Sequence, residues 1–234
     1  GPPAGERGAR AGIDGACVDR KTAPDGAEAR SDRPAGRWPG STVVCIASGP
    51  SLGDDQLAAA KERQGEKGWR VIAINDNWRR APWADVLYAC DQKWWDRYHQ
   101  DIVDSAFAGE LWTQDNRAAQ KYRLHRVQGA HAAGLGKTQV HWGGNSGYQA
   151  INLAYLWGAR RVVLLGYDMK KTDGKSHWFG DHPKGLSGNS PYSTWVQKFD
   201  RLAADLKAEG VEVINATRET ALTCFPRRSI EVIE

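Results

Sequence analysis

A short run of apolar residues that ends in a tight turn and opens into a helix constrains the fold more than any other feature of the chain. Residues 43–52 read Val-Val-Cys-Ile-Ala-Ser-Gly-Pro-Ser-Leu, and polar, helix-forming sequence follows from Asp54. β-Branched residues favour extended strands, whereas Gly and Pro mark turns. The pattern therefore predicts a buried strand that turns sharply into a helix, which is the repeating unit of α/β proteins.

Strand-like and helix-like segments alternate from residue 42 onward. The predicted strands are 42–47, 70–75, 84–90, 110–113, 161–166 and 211–214, and the predicted helices are 54–64, 91–99, 146–157 and 193–208. Because parallel strands are joined by crossover connections, the alternation predicts a single Rossmann-like α/β domain with a mostly parallel sheet and helices on both faces. Residues 1–38 are rich in Gly, Ala, Pro and Arg without either periodicity, so we expect a flexible N-terminal arm before a folded domain at 39–234.

Composition limits the class of protein and its partners. The formal net charge is +4 on 234 residues, which suits an anionic ligand but is small for a dedicated nucleic-acid-binding protein. The four cysteines lack metal-type spacing, and no stretch has the length of a membrane span, so we expect a reduced, cytoplasmic protein. Eleven tryptophans are far more than usual, and we expect most to pack and at least one to face a ligand.

Polar residues and glycines follow the predicted strands. In open α/β sheets, ligands bind beyond the carboxyl ends of the strands, where glycine lets the backbone approach a phosphate. Turn preference alone favours the same residue types, so both interpretations stay open for each residue. The candidates for nucleotide binding at this edge are Ser48, Gly49, Pro50, Ser51, Asn75, Asn77, Asp91, Gly166 and Asp168.

A second glycine-rich loop, Gly143-Gly144-Asn145-Ser146-Gly147, opens the predicted helix 146–157. Asn145 or Ser146 can cap this helix, and the loop through Gly147 can present N–H groups to a phosphate or ribose. A plain helix cap would have the same sequence. Neither glycine-rich loop has the spacing of a P-loop or of a dinucleotide-binding fingerprint, so those two classes of nucleotide site find no support.

The predicted loop 170–189 carries the densest set of reactive side chains. His177 and His182 flank Asp181, and a histidine near a carboxylate can act as a general base. The same residues with Asp168 are an alternative metal site, although their spacing matches no strong metal signature, and a structural role is a third interpretation. Lys170 and three further lysines make the loop cationic, which suits a lid that closes over phosphates.

Four ordered motifs together resemble a known superfamily. They are residues 44–52, 71–75, the Asn-Ser-Gly of 145–147, and Gly-Ala-Arg-Arg-Val-Val-Leu-Leu-Gly-Tyr-Asp at 158–168. The order and spacing are similar to those of the metal-independent bacterial sialyltransferases and of the Rossmann-like family that contains the archaeal-type 6-hydroxymethylpterin pyrophosphokinases. Within this superfamily the chain looks closest to proteins of phage and prophage origin, which implies the cytoplasm of a bacterial host.

The resemblance implies roles for individual residues of this chain. Gly49 and Ser51 would border the nucleotide phosphate, and Asn75 would contact the ribose or a phosphate. Ser146 with Gly147 would hold the nucleotide part of the donor.

The resemblance also extends to the loop after residue 166. Asp168 would lie beside the base or ribose, and His182 in Gly-Asp-His-Pro-Lys matches the general base of the sialyltransferases. The two tyrosines with which that family contacts phosphate have no clear counterpart in this loop, where Lys170 and His177 stand instead.

Three functions follow as expectations. The first is a glycosyltransferase that moves a sugar from a nucleotide-sugar co-substrate to a hydroxyl of a surface glycan or of a hydroxylated DNA base. It needs no metal and uses His182, His177, Asp181 and Lys170. The second is a pyrophosphokinase or related phosphotransferase that holds Mg²⁺ with Asp91, Asp168 and Asp181. The third is a non-catalytic module that binds a nucleotide or nucleic acid.

Overall fold

Seven parallel strands form the central sheet in the computed structural model, which describes residues 36–186 and 191–234. The strands are β1 (Thr42–Ile46), β2 (Arg70–Ile74), β3 (Val86–Tyr88), β4 (Glu110–Thr113), β5 (His125–Arg126), β6 (Gly129–Ala130), β7 (Val140–His141), β8 (Arg161–Leu165) and β9 (Glu212–Asn215). The order in the sheet is β5-β4-β3-β2-β1-β8-β9, and all neighbours are parallel, whereas β6 and β7 form a small separate ladder. The predicted α/β class with a parallel sheet is confirmed.

Helices cover both faces of this sheet. They are α1 (Asp54–Lys67), α2 (Gln92–Val103), α3 (Asn116–Tyr122), α4 (Ser146–Leu156) and α5 (Tyr192–Ala208). Alternate residues of β1 point to opposite faces, so Val43 and Cys45 pack with residues of α4 and α5, whereas Val44 and Ile46 pack with residues of α1, α2 and α3. All four side chains are fully buried, as expected for a central parallel strand.

The observed elements follow the predicted ones closely in the centre of the sheet and less closely at its β5 edge. β1, β2, β4 and β8 agree with their predicted segments to within one residue, whereas α2 continues four residues beyond the predicted end at His99. α3, β5, β6 and β7 were not predicted, because they are short and bury few apolar side chains.

Most of the predicted N-terminal arm, residues 1–35, lies outside the described residues. Trp38, the last residue of that segment, is buried in the core, and its ring centroid lies 4.5 Å from that of Trp157. The backbone N–H of Trp38 donates to the carbonyl of Trp157, 2.6 Å away. None of the described helices is long and apolar enough to cross a membrane.

The chain reverses its direction of strand addition between β1 and β8. β2 to β5 are added on one side of β1, and β8 and β9 lie on the other. Loops that follow strands on either side of such a switch point diverge and leave a crevice at the carboxyl edge. Here the two loops are joined again, because the N–H of Gly49 donates to the carbonyl of Gly166 at 2.8 Å.

Gly49 is required by this junction. A Cβ atom built on Gly49 would overlap the carboxylate of Asp168 and the carbonyl oxygen of Gly166. The close backbone approach expected from the sequence is therefore an approach to the loop after β8. This approach explains the glycine at position 49 without a bound phosphate.

We expect Gly49→Ala to lower the free energy of unfolding by about 1–3 kcal/mol, the usual cost of forcing an extra carbon into a packed site. Gly65→Ala is the matched control, since Gly65 lies on the exposed side of α1 with no atom within 4 Å of the added Cβ. That control should raise stability by about 0.5–1 kcal/mol through helix propensity. Urea denaturation measures both variants, and equal stabilities for the two would contradict the proposed junction.

Candidate functional site

A cleft of about 340 Å³ opens at the carboxyl edge of the sheet. The loops after β1, β2, β3 and β8 contribute to its lining, together with the start of α4, the loop 170–186 and the start of α5. Its volume falls in the range of roughly 300–1,000 Å³ that is typical of small-molecule sites. The predicted site residues that line it are Ser48, Gly49, Asn75, Asp91, Asn145, Ser146, Gly147, Gly166, His177 and His182.

Other predicted site residues stand behind the wall of the cleft. Asp168 is 1 % exposed, and its carboxylate accepts hydrogen bonds from the N–H of Ser51 at 3.0 Å, from the hydroxyl of Ser51 at 2.8 Å and from that of Thr172 at 2.9 Å. Burial raises the pKa of Asp168, and the bonds from Ser51 and Thr172 partly oppose this shift. The carboxylate therefore holds the two loops in place, and Pro50, which does not line the cleft, lies within the same turn.

Asn77 has a similar supporting role. Its amide nitrogen donates to the carbonyl of Ile46 at 2.9 Å, and its amide oxygen accepts a hydrogen bond from Nε1 of Trp178 at 3.1 Å. Through these two hydrogen bonds the fully buried side chain connects the end of β1 to the loop 170–186.

The start of α4 provides one wall of the cleft. The side-chain oxygen of Asn145 accepts the N–H of Tyr148 at 2.8 Å and so caps the helix, while Ser146 Oγ accepts the N–H of Cys90 at 3.1 Å. Nδ2 of Asn145 is buried and makes no hydrogen bond to any described residue. The cap therefore leaves a buried donor beside Ser146 and Gly147, at a helix end that favours negative charge.

Two non-glycine residues of the lining adopt left-handed backbone conformations. Asn75, directly after β2, has φ of +50°, and Met169, after β8, also has φ of +50°. Asparagine tolerates this region, whereas methionine rarely adopts it. Such backbone strain concentrates at functional sites, which strengthens the case for this cleft.

Two histidines and a phenylalanine form an aromatic cluster in the loop 170–186. The ring centroids of His177 and His182 lie 4.5 Å apart, and Phe179 stacks on His177 at 4.9 Å with an interplanar angle of 7°. Burial lowers the pKa of His177 to about 4, and repulsion from His182 adds to this shift, whereas Asp76 and Asp181 oppose it.

His182 is also held neutral by its surroundings. Burial lowers the pKa of this imidazole, and the charges of Asp76 and Asp181 partly offset the shift. Its Nδ1 atom is buried and has no hydrogen-bond partner among the described residues. A neutral imidazole with an unpaired ring nitrogen is the form that can accept a proton or a hydrogen bond.

Lys170 and Asp181 do not line the cleft. Lys170 makes an ion pair with Glu219 at 3.3 Å, and Asp181 is exposed. Among the described residues, the lining contains no lysine or arginine, so the cationic lid expected from the sequence is not what faces this cavity. Hydroxyl groups are present instead, on Ser176 and Tyr192.

Two of the three carboxylates proposed for Mg²⁺ make separate structural contacts, and the third is exposed. Asp91 caps α2 by accepting the N–H of Lys93 at 2.8 Å, Asp168 binds Ser51, and Asp181 is exposed. Within residues 36–186 and 191–234 no group of three or more His, Cys, Asp or Glu side chains is placed to hold a metal ion.

Sequence reasoning passed over several residues that shape the cleft. Met169, Leu186 and Tyr192 line it without belonging to any recognisable motif, whereas Trp195, which also lines it, is one of the loop-flanking tryptophans expected as candidates for ligand contact. Asp76 is 1 % exposed and accepts the Nε1 hydrogen of Trp94 at 2.9 Å, from where its charge acts on both histidines. Asp76 belongs to the polar run Asn75-Asp76-Asn77 after β2, and that run is the signal in the sequence that indicates it.

Trp178 fastens the loop 170–186 to the sheet. Its backbone N–H donates to the carbonyl of Ser48 at 3.0 Å, its indole donates to Asn77, and the guanidinium of Arg80 lies 5.2 Å from its ring centroid. The tryptophan therefore holds the histidine cluster against the loop after β1.

No protein-family model matches the chain, and no curated protein matches it in sequence. The function of the cleft is therefore inferred from its own residues.

We expect Trp178→Ala to increase tryptic cleavage in the loop at Lys175 and Lys184 by roughly five- to thirtyfold, because about 1–2 kcal/mol of docking free energy is lost. Limited proteolysis followed by mass spectrometry measures the cleavage rates. Trp142→Ala, which removes an exposed indole outside this loop, is the control. Equal loop cleavage in the two variants would show that Trp178 does not fasten the loop.

Proposed function

We propose that the chain is a transferase that moves a sugar from a nucleotide-sugar donor to a hydroxyl group of an acceptor. One observation carries the proposal. His182, neutral and with an unpaired buried nitrogen, shares a cleft with the start of α4 at the switch point of a parallel sheet. A base and a phosphate-binding element in one cavity are what such a reaction requires.

The nucleotide is expected at the sheet edge. The first-turn N–H groups of α4 and the Nδ2 atom of Asn145 can bind the phosphate. All are hydrogen-bond donors, and they lie at the N-terminus of α4, the positive end of the helix dipole. Asn75 and Ser48 border the same cavity and can bind ribose hydroxyls, while the half-buried ring of Trp195 offers an aromatic surface to the base or the sugar.

The departing phosphate would be stabilised by neutral donors. The lining offers the hydroxyls of Ser176 and Tyr192, and the Tyr192 hydroxyl lies 3.4 Å from the carbonyl of Ser176. Preorganised donors in a partly enclosed site stabilise developing negative charge more strongly than the same groups do in water. We assign this role to Tyr192 and to the start of α4, and no longer to Lys170.

The base is assigned to His182. In the transfer step, the acceptor oxygen bonds to the anomeric carbon of the sugar while the bond from that carbon to the phosphate oxygen breaks. The acceptor proton moves to the imidazole of His182, which lines the cleft, and the electron pair leaves with the nucleotide phosphate. His177 and Phe179 pack beside this imidazole and contribute the burial that keeps it neutral.

Metal ions are not required in this proposal. The pyrophosphokinase alternative needs carboxylates near two phosphates, and Asp91, Asp168 and Asp181 are not grouped. The acceptor is a surface glycan or a hydroxylated DNA base, and both carry the hydroxyl that His182 would deprotonate.

We expect His182→Ala to lower turnover by roughly two to four orders of magnitude, the usual contribution of a general base. Nucleotide release from a panel of nucleotide sugars, assayed in EDTA and in Mg²⁺, measures turnover, and thermal-shift titration measures donor binding. Donor binding should stay nearly unchanged, because the base faces the acceptor. His99→Gln is the control, since His99 lies on α2 and does not line the cleft.

The pH dependence of turnover is a second test of His182 as the base. Because burial lowers the pKa of His182, the base stays unprotonated as the pH falls through the ordinary imidazole value of about 6.5. Activity of the wild type should therefore decline only at lower pH. Near-normal turnover of His182→Ala would end the assignment, and activity abolished by EDTA would favour the metal-dependent alternative.

A further inference from the structure

A second cavity lies beside the cleft and has a different chemical character. It measures about 320 Å³, and we call it the aromatic-basic pocket. Its distinguishing residues are His131, Trp142, Gly143, Gly144, Lys198 and Arg201. None of them belongs to the site described above.

The two cavities share one wall, the glycine-rich segment before α4. Gly143 and Gly144 line the pocket, whereas Asn145, the next residue, lines the cleft. A Cβ atom on Gly144 would lie 2.8 Å from Nε1 of Trp195, in the cleft, and 3.4 Å from Nζ of Lys198, in the pocket. A single backbone segment therefore separates a ligand in one cavity from a ligand in the other.

An exposed indole forms the aromatic part of the pocket. Trp142 is 38 % exposed, whereas most tryptophans of the described residues are buried. The ring of His131 stands against it edge-on, with centroids 5.6 Å apart and an interplanar angle of 77°. Large apolar rings left exposed in a concave site commonly mark a contact surface for a ligand.

Two cations on α5 border the pocket. Lys198 and Arg201 are three residues apart, so they project from the same face of the helix. Arg201 pairs with Asp205 at 3.2 Å, and the Asp205 carboxylate also accepts the N–H of Leu135. Lys198 makes no ion pair with any described residue, so its charge is available to an anionic group.

The remainder of the lining favours a flat apolar ring over a sugar. Ala132, Ala133 and the glycines carry no polar side chain, and the Tyr148 hydroxyl already donates to the carbonyl of Gly134 at 2.8 Å. A sugar needs several hydrogen bonds to replace the water that it loses, whereas a nucleobase can stack on an indole and leave its phosphate to a cation.

We propose that the aromatic-basic pocket binds a nucleotide unit, with the base against Trp142 and the phosphate at Lys198. The unit can come from a free nucleotide or from single-stranded nucleic acid, which carry the same chemistry. Under the proposed function the pocket would anchor a nucleic-acid acceptor beside the donor. That role rests on the proposed function, whereas the binding itself does not.

The test uses a short fluorescein-labelled oligothymidylate, with thymidine monophosphate and oligogalacturonate as competitors. Fluorescence anisotropy measures binding to the full chain at several salt concentrations. We expect Trp142→Ala to weaken binding by roughly 5- to 150-fold, the range measured for loss of one stacked base. Lys198→Glu should also weaken it, and Lys198→Ala should reduce the salt slope by about 1.

Matched variants separate the pocket from general surface effects. Val103→Ala removes an equally exposed apolar side chain elsewhere, and Lys207→Glu reverses a charge near the far end of α5. Neither should change binding. Lys198→Glu alters an exposed side chain, so it tests the proposal even if Trp142→Ala proves unstable.

The outcomes are distinct. Displacement of the labelled strand by thymidine monophosphate supports the proposal with a free nucleotide as the source. Binding of the labelled strand that the mononucleotide does not displace supports it with nucleic acid as the source. Absence of binding by the labelled strand would overturn it, and displacement of that strand by oligogalacturonate but not by thymidine monophosphate would overturn it in favour of an acidic glycan. Strand binding unaffected by Trp142→Ala and Lys198→Glu would also overturn it. Stabilisation by nucleotide sugars, measured separately, reports on the cleft and stays independent of these results.

Discussion

The buried carboxylate of Asp168 is the interaction on which the rest of the site depends. It lies at the switch point between β1 and β8, where strand topology alone would let the two following loops separate. The N–H and hydroxyl of Ser51 and the hydroxyl of Thr172 all donate to it, and Gly49 adds a backbone bond to Gly166. A carboxylate this deeply buried needs several donors to offset its desolvation, so the loops and the acid stabilise one another. The cleft is shaped by this junction, although Asp168 does not line it.

The second constraint is the docking of the loop 170–186. Trp178 holds this loop against Ser48 and Asn77, and the docked loop buries His177 and His182. Burial is the leading cause of the lowered pKa of both imidazoles, so packing of the loop decides their protonation state. An opened loop would return the histidines to water and raise their pKa values towards the usual range. In the proposed enzyme, loop closure and readiness of the base are therefore one event.

The centre of the sheet was predictable from the sequence because β-branched runs such as β1 and β8 are buried on both faces and have no competing interpretation. α3 escaped prediction because its seven residues bury only two alanines, and β5 is held by pairing with β4 more than by its own two residues. In the site, polar residues after each strand were recognisable as a set. Which of them line the cleft and which support it could not be predicted. Ser48 and Ser51 look alike in sequence, yet Ser48 lines the cleft whereas Ser51 binds Asp168. The neutral state of His182 depends on long-range burial, which no local spacing encodes.

Hydrogen–deuterium exchange of the full chain, with and without the nucleotide sugar that gives the largest thermal shift, shows whether the nucleotide binds in the cleft. We predict slower exchange in residues 47–49, 145–147 and 176–182, which come from three separate segments of one cleft. Residues 216–218 and 227–229, which line a different cavity at the end of β9, should change little. Slower exchange only in that second region would contradict the assignment of the nucleotide to the cleft. Unchanged exchange in both regions under saturating ligand would contradict it as well.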